Sequence, residues 1–158
     1  MVCKIGEHRY LESGLDNVFL VGVEICNCSC GEEIVTIPAV YDLHDLLSLE
    51  IVKKKSLLNS REIRFLRKNM GLSAKKLSKM MGVDNATISR WENNAQGINE
   101  SRDRLLRLIY LNIKGMSGEE IKHVIEEDFS GISSKQEIPS PHKIPVDHWL
   151  KNTVCFTK

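Results

Sequence analysis

Long apolar runs are missing from this chain. The best candidate, Val18 to Ile25, has only the length of a strand and carries Glu24, so it supports neither a membrane span nor a signal peptide. A cytoplasmic location is the expectation. Internal repeats are also lacking, and so are the signatures of catalysis. We find no nucleophile-base pair, no carboxylate pair with a supporting motif and no Gly-rich phosphate loop, and an enzyme is not expected. Paired Cys-x-x-Cys knuckles are missing too. Of the five cysteines, Cys26, Cys28 and Cys30 are bunched at alternate positions, a spacing better suited to metal than to disulfides in a reducing compartment.

What is present divides by charge. The formal net charge of +1 hides an acidic start, a basic middle and a mildly acidic end. Residues 1–58 hold five Lys or Arg against nine Asp or Glu, giving −4; residues 59–114 hold twelve against five, giving +7; the remainder gives −2. A basic middle suits a surface that tracks phosphates, because displaced counterions drive association. With 158 residues there is room for two small domains, each with a limited core. The expected class is α+β: a zinc-stapled β module with a linking helix over 1–58, an all-α domain over 59–129, and a linker or tail over 130–158.

The middle segment carries the sharpest pattern. Asn59-Ser-Arg-Glu62 is a capping-box start, Ile63, Leu66 and Met70 recur at helical spacing, and Gly71-Leu72 is a stop. Ser73 caps a second helix, with Ala74, Leu77, Met80 and Met81 as its apolar side and Lys75, Lys76 and Lys79 opposite. Gly82 closes it, Val83 supplies the apolar contact beyond, and Asp84 caps a third. In that third helix Ile88 and Trp91 share one side, leaving Asn85, Ala86, Ser89, Arg90 and Asn93 on another. After a loop over 93–97, Leu105, Leu106, Leu108 and Ile109 build a longer helix from about Ser101 to Lys114. Short helices joined by tight turns read as a helix-turn-helix domain. The expected base contacts are Asn85, Ala86, Ser89 and Arg90, and the expected phosphate contacts are Ser73, Lys75, Thr87 and Asn94.

In the N-terminal segment, His8 to Glu12, Val18 to Cys28 and Glu33 to Val40 read as three strands, followed by a helix from Asp42 to Leu58. So small a β module needs a staple, and structural zinc is the candidate. On a straight strand the thiols of Cys26, Cys28 and Cys30 would share a face and could converge with Cys3 on Zn²⁺, or His8 could replace one of them. The alternative is a set of free buried thiols. A Cys-x-x-Cys ending at Cys3 would put its first Cys immediately before Met1, which raises the expectation that Met1 is internal to a longer product.

Two resemblances sharpen these readings. Residues 60–110 resemble the Xre-type repressor DNA-binding domain, through Leu77, Gly82-Val83 and Ile88-Ser-Arg-Trp-Glu92. Ala74 stands where many members carry a Gln that touches DNA, so that contact should be absent. Over residues 1–114, Cys3, Glu12-Ser-Gly-Leu-Asp-Asn-Val18, Cys30-Gly-Glu32, Ile37-Pro38 and Arg64-Phe-Leu-Arg67 together resemble an MqsA-type antitoxin, a YgiT-type zinc finger joined to an Xre-type domain. Asn27 departs from that pattern, standing where a paired Cys would be expected. The resemblance implies a homodimer that binds a palindromic operator, represses its own operon and masks an mRNA-cleaving toxin with its zinc domain. A regulator whose Cys cluster senses metal or redox state is the competing reading.

The C-terminal part offers less. Ser117-Gly-Glu-Glu120 opens another helix, with Ile121, Val124, Ile125 and Phe129 on its apolar side. Ser130 to Pro145 reads as linker or tail, Val146 to Phe156 as a segment able to dock through Trp149 and Phe156, and Cys155 as a free thiol.

Overall fold

A computed structural model of the protein describes residues 2–133 and 140–150. Met1, Cys155 and Phe156 lie outside them. The chain divides into two compact units, one built from the described residues of 1–46 and 139–158, the other from those of 47–138.

The first unit is organised on a long central strand. Strand β1 (Val2–Arg9) pairs antiparallel with β2 (Val18–Asn27) along its length, and β3 (Glu33–Thr36) pairs antiparallel with the second half of β2. The first half of β2, Val18 to Val21, takes β4 (His142–Pro145) as a parallel neighbour. A bulge at Gly22 makes this strand work. Val18 and Leu20 are buried on one face, and strict alternation would next bury Gly22 and Glu24; one extra residue shifts the pattern so that Val23 and Ile25 are buried instead. Gly22 has φ +86, and a Cβ there would come within 3.1 Å of Val146 Cγ1, so both conformation and space call for glycine. Tyr10, Leu15, Ile144 and Trp149 are also buried in this unit, and Tyr10 Oη bonds His44 Nε2 at 2.8 Å.

Several boundaries differ from expectation. The first strand lies at Val2–Arg9, not His8–Glu12, because pairing with β2 recruits the chain start, while Leu11–Ser13 turns as a 3₁₀ segment closed by left-handed Gly14. Helix α1 covers Val40–Lys53, ending before Leu58, and the division between units falls inside it. Residues 142–150, expected within a linker or tail, form β4 and a short helix α7 (Val146–Leu150). His142 N–H donates to Asn17 O at 2.7 Å, Asn17 Nδ2 donates to Ser140 O at 3.1 Å, and the Trp149 indole donates to Pro38 O at 2.8 Å. These bonds satisfy backbone groups that a free tail would leave to water.

The second unit is helical, with α2 (Ser60–Asn69), α3 (Ala74–Met81), α4 (Asn85–Glu92), α5 (Glu100–Ile113) and α6 (Gly118–Glu127). Its caps are the ones the sequence specifies. Asn59 and Ser117 both form full capping boxes, with Glu62 and Glu120 respectively. Helix α2 ends in paired backbone bonds, Gly71 N–H to Lys68 O and Leu72 N–H to Arg67 O, and α3 ends the same way through Gly82 and Val83. Ile63, Phe65, Leu66, Leu77, Met81, Ile88, Trp91, Leu106, Tyr110 and Leu111 are buried in this unit.

Two helix faces differ from expectation. On α3 the buried residues are Leu77, Ser78 and Met81, while Met80 is exposed; Ser78 is tolerated because its hydroxyl donates to Lys75 O at 2.9 Å. On α5 the buried stripe is Asp103, Leu106, Arg107 and Tyr110 with Leu111, so two charged residues occupy positions that Leu105, Leu108 and Ile109 were expected to define.

Candidate functional site

Helices α3 and α4 are joined through Gly82, whose φ of +62 turns the chain sharply enough for Asp84 to begin the next helix. Asp84 Oδ1 accepts the Thr87 N–H at 2.6 Å. A hydrogen bond from the Thr87 side chain, then this backbone bond and the field of Arg90, hold the Asp84 carboxyl below the usual aspartate value. The capping carboxylate is therefore ionised wherever DNA would be offered, and α4 begins with its third N–H already satisfied.

Ile88 and Trp91 are buried, whereas Asn85, Ala86, Ser89 and Arg90 are exposed along one side of α4. Thr87 is half-buried. At the start of α3, the Ser73 hydroxyl oxygen accepts the Lys76 N–H at 3.1 Å, which leaves its proton for an external acceptor. Lys75, Lys76 and Lys79 are exposed on that helix. Asn94 is exposed just past α4 with φ +57, a left-handed position that asparagine tolerates. The structure thus brings the expected contact residues onto two consecutive helices and the loop that follows.

A supporting network was not read from the sequence. Arg67 grips Glu92 with two hydrogen bonds, from Nε at 2.5 Å and Nη2 at 3.0 Å, and its Nη1 donates to Leu72 O at 2.9 Å. Arg64 donates to Glu92 O at 3.2 Å and to Asn93 Oδ1 at 2.8 Å, and Asn93 Nδ2 donates to Ser89 Oγ at 3.2 Å. The Glu92 hydrogen bonds raise Arg67 above even its ordinary high pKa. These contacts tie the end of α4 to α2 and fix the angle at which the exposed side of α4 is presented. A signal for them existed: a carboxylate at a helix C-terminus is disfavoured by the dipole, so Glu92 implied a cationic partner. Arg102, whose guanidinium donates to Met81 O, holds the end of α3 in the same manner.

Residues 63–102 match the family model described as Helix-turn-helix. This segment is a helix-turn-helix. It spans about a quarter of the chain, from α2 to the start of α5, and it points to a DNA-binding regulator. No curated protein and no solved structure gave a significant match.

The cysteines are arranged otherwise than expected. Cys3 and Cys26 are directly opposed on β1 and β2 and joined as a disulfide. Cys28 and Cys30 do not join them, because β2 ends at Asn27 and the chain turns: Cys28 N–H donates to Glu32 O and Gly31 N–H to Cys28 O, closing the β2–β3 hairpin. The straight strand that would align three thiols does not exist. Among the described residues, the group able to hold a metal ion is Cys3, Glu24 and Cys26, whose ligand atoms lie within 4.8 Å of one another. His8 pairs with Leu20, whose side chain is in the core, and belongs to the other face of the sheet.

Cys28 has chemistry of its own. The Cys30 thiol and the Cys30 backbone N–H, the latter at 3.4 Å, both hydrogen-bond its sulfur and hold it below the ordinary thiol pKa. Iodoacetamide at neutral pH is therefore expected to label Cys28 before Cys30, read by peptide mapping of a brief pulse; equal labelling of the two would show that the turn does not activate Cys28.

Proposed function

We propose that the protein is a cytoplasmic, non-enzymatic transcriptional repressor that binds a palindromic operator as a homodimer through α3 and α4, and that its N-terminal unit masks a basic, mRNA-cleaving toxin encoded beside it. The observation that carries the first half is the exposed Asn85-Ala86-Ser89-Arg90 side of α4 within the matched segment, set in a stretch of charge +7. Asn85, Ser89 and Arg90 reach base edges, with Arg90 bidentate to guanine and Ala86 offering a methyl contact, while Ser73, Lys75, Thr87 and Asn94 meet phosphates.

The second half is supported by the resemblance to MqsA-type antitoxins and by charge. Residues 1–58 carry −4, which favours a basic protein over nucleic acid. Zinc in this reading is held at Cys3 and Cys26 with that pair reduced, since Cys28 and Cys30 stand in the hairpin turn. A second reading, a stand-alone regulator whose cysteines sense metal or redox state, is favoured by one observation: the disulfide and the metal-capable group share Cys3 and Cys26.

The test of DNA binding is a footprint on the promoter of the protein's own gene, followed by two variants. Arg90→Ala should cost about 1 to 3 kcal/mol on the operator and relax specificity at one base position, whereas Lys75→Ala should weaken all sequences alike and flatten the salt dependence by about one phosphate contact. Wild-type protein that prefers no sequence over random DNA, or Arg90→Ala protein that binds as well, would overturn the assignment.

A further inference from the structure

The pairing of β1 with β2 places Cys3 opposite Cys26, and alternation along β2 puts Glu24 on the same face as Cys26. Opposed residues in an antiparallel pair have Cβ atoms about 4.5 to 5.5 Å apart, close enough for a covalent bond between sulfurs or for a shared cation. Tetrahedral Zn²⁺ with bonds of about 2.3 Å needs its two sulfurs about 3.8 Å apart, a spacing the 4.8 Å group accommodates once the sulfurs are not bonded to each other. Cys3 and Glu24 are exposed while Cys26 is buried, so a cation arriving from solvent meets two accessible ligands and one fixed one. A bonded sulfur carries no thiolate charge and is a poor ligand. The same two residues therefore support one state or the other.

We propose that reduced Cys3 and Cys26, with Glu24, form a site for a thiolate-seeking divalent cation of the zinc class, and that disulfide formation closes it. The fourth position is left to water, as in sites with three protein ligands. Closure balances with a small-molecule disulfide such as oxidised glutathione as the oxidant. The two thiolates give up two electrons and form one S–S bond; the glutathione disulfide takes those electrons and two protons to become two glutathione thiols; the cation leaves intact. Either state ties β1 to β2, so the sheet keeps its staple while its bound charge changes. Glu24 is the new ligand in this assignment, and Cys28 and Cys30 are outside it. The proposal gives residues and a mechanism to the sensor reading, and only its regulatory consequence rests on that reading.

The test uses the full-length protein and Co²⁺ as a spectroscopic probe. Protein reduced with a phosphine should bind one Co²⁺ per chain with a thiolate-to-metal charge-transfer band, and protein oxidised with glutathione disulfide, its Cys3–Cys26 bond verified by peptide mass, should not. Glu24→Gln, a change at an exposed position, should weaken binding at least about 10-fold, while the Cys28→Ser/Cys30→Ser double variant should bind like wild type. Equal binding by the oxidised protein overturns the proposal. So does loss of binding in the Cys28→Ser/Cys30→Ser variant together with wild-type affinity in Glu24→Gln, which would move the site to the hairpin turn. Operator affinity of the two redox forms is measured in parallel. Equal affinities reject the sensor reading while the Co²⁺ result decides the site independently.

Discussion

Arg107→Ala is expected to destabilise the 47–138 unit by about 3 to 5 kcal/mol, the usual result of removing one partner from a buried ion pair. Both Arg107 and Asp103 are fully buried, one helical turn apart on α5, with Nε 2.7 Å from Oδ1. The guanidinium also donates to three carbonyls at and beyond the end of α1: Val52 O at 2.9 Å, Lys54 O at 2.5 Å and Ser56 O at 2.7 Å. Asp103 Oδ2 accepts the Leu58 N–H at 2.7 Å. One side chain thus satisfies carbonyls that the end of α1 leaves open, and the other holds the start of the segment leading into α2. Alanine would strand a buried carboxylate and three acceptors together. Domains of this size have about 5 to 15 kcal/mol in total, so the loss is a large share. Urea denaturation gives the measure. A Trp149→Phe background leaves Trp91 as the fluorescent reporter inside this unit. The Asp103→Leu/Arg107→Met double variant should lose less than the two single variants added together, because it removes both charges at once. An unchanged midpoint for Arg107→Ala would show that the pair and its carbonyl contacts contribute nothing net.

The same pair shows where reading the sequence succeeds and where it stops. Helix ends were legible because they depend on local chemistry: Gly71, Gly82, Asn59, Ser73, Asp84 and Ser117 act on backbone groups within a few residues. The face of α5 was not, because a hydrophobic pattern cannot register a charged pair that is buried by virtue of carbonyls some fifty residues earlier. The exposed side of α4 was legible for the same local reason as its caps, since Ile88 and Trp91 fix which side turns inward. Arg64, Arg67 and Asn93 were missed as its supports, as their partners lie on another helix. Cys3 and Cys26 come together as expected, whereas the expectation that Cys28 and Cys30 join them failed on a single premise. Alternation aligns thiols only while the strand continues, and Cys28 lies one residue past its end. The sheet itself was incomplete on paper because its fourth strand comes from more than a hundred residues downstream, where Ser and Pro content suggested a tail.

That fourth strand leads to the second large effect, expected from Trp149→Ala. Trp149 is fully buried and its indole donates to Pro38 O, so truncation removes an aromatic anchor and orphans a carbonyl. Replacing a buried Trp by Ala costs about 3 to 5 kcal/mol, and a unit this small has little more to lose. Helix α7 follows β4 directly, so loosening Trp149 should release β4 as well and leave the Val18–Val21 half of β2 without its parallel neighbour. Hydrogen exchange should show this as lost protection at Val18 to Val21, while amides of α2 to α5 exchange as in wild type. The functional consequence separates the two halves of the proposed role. Trp149→Ala should still footprint the operator, because the helix-turn-helix lies in the other unit, but it should no longer relieve growth arrest caused by the neighbouring toxin gene. A fragment of residues 1–58 should fail in the same assay, as it lacks β4 and α7, whereas residues 1–58 joined by a flexible linker to residues 139–158 should restore relief. If Trp149→Ala protein neutralises the toxin as well as wild type while Val18 to Val21 exchange freely, the intact sheet is not the masking surface. Neutralisation would then have to act through repression of the toxin gene by α3 and α4.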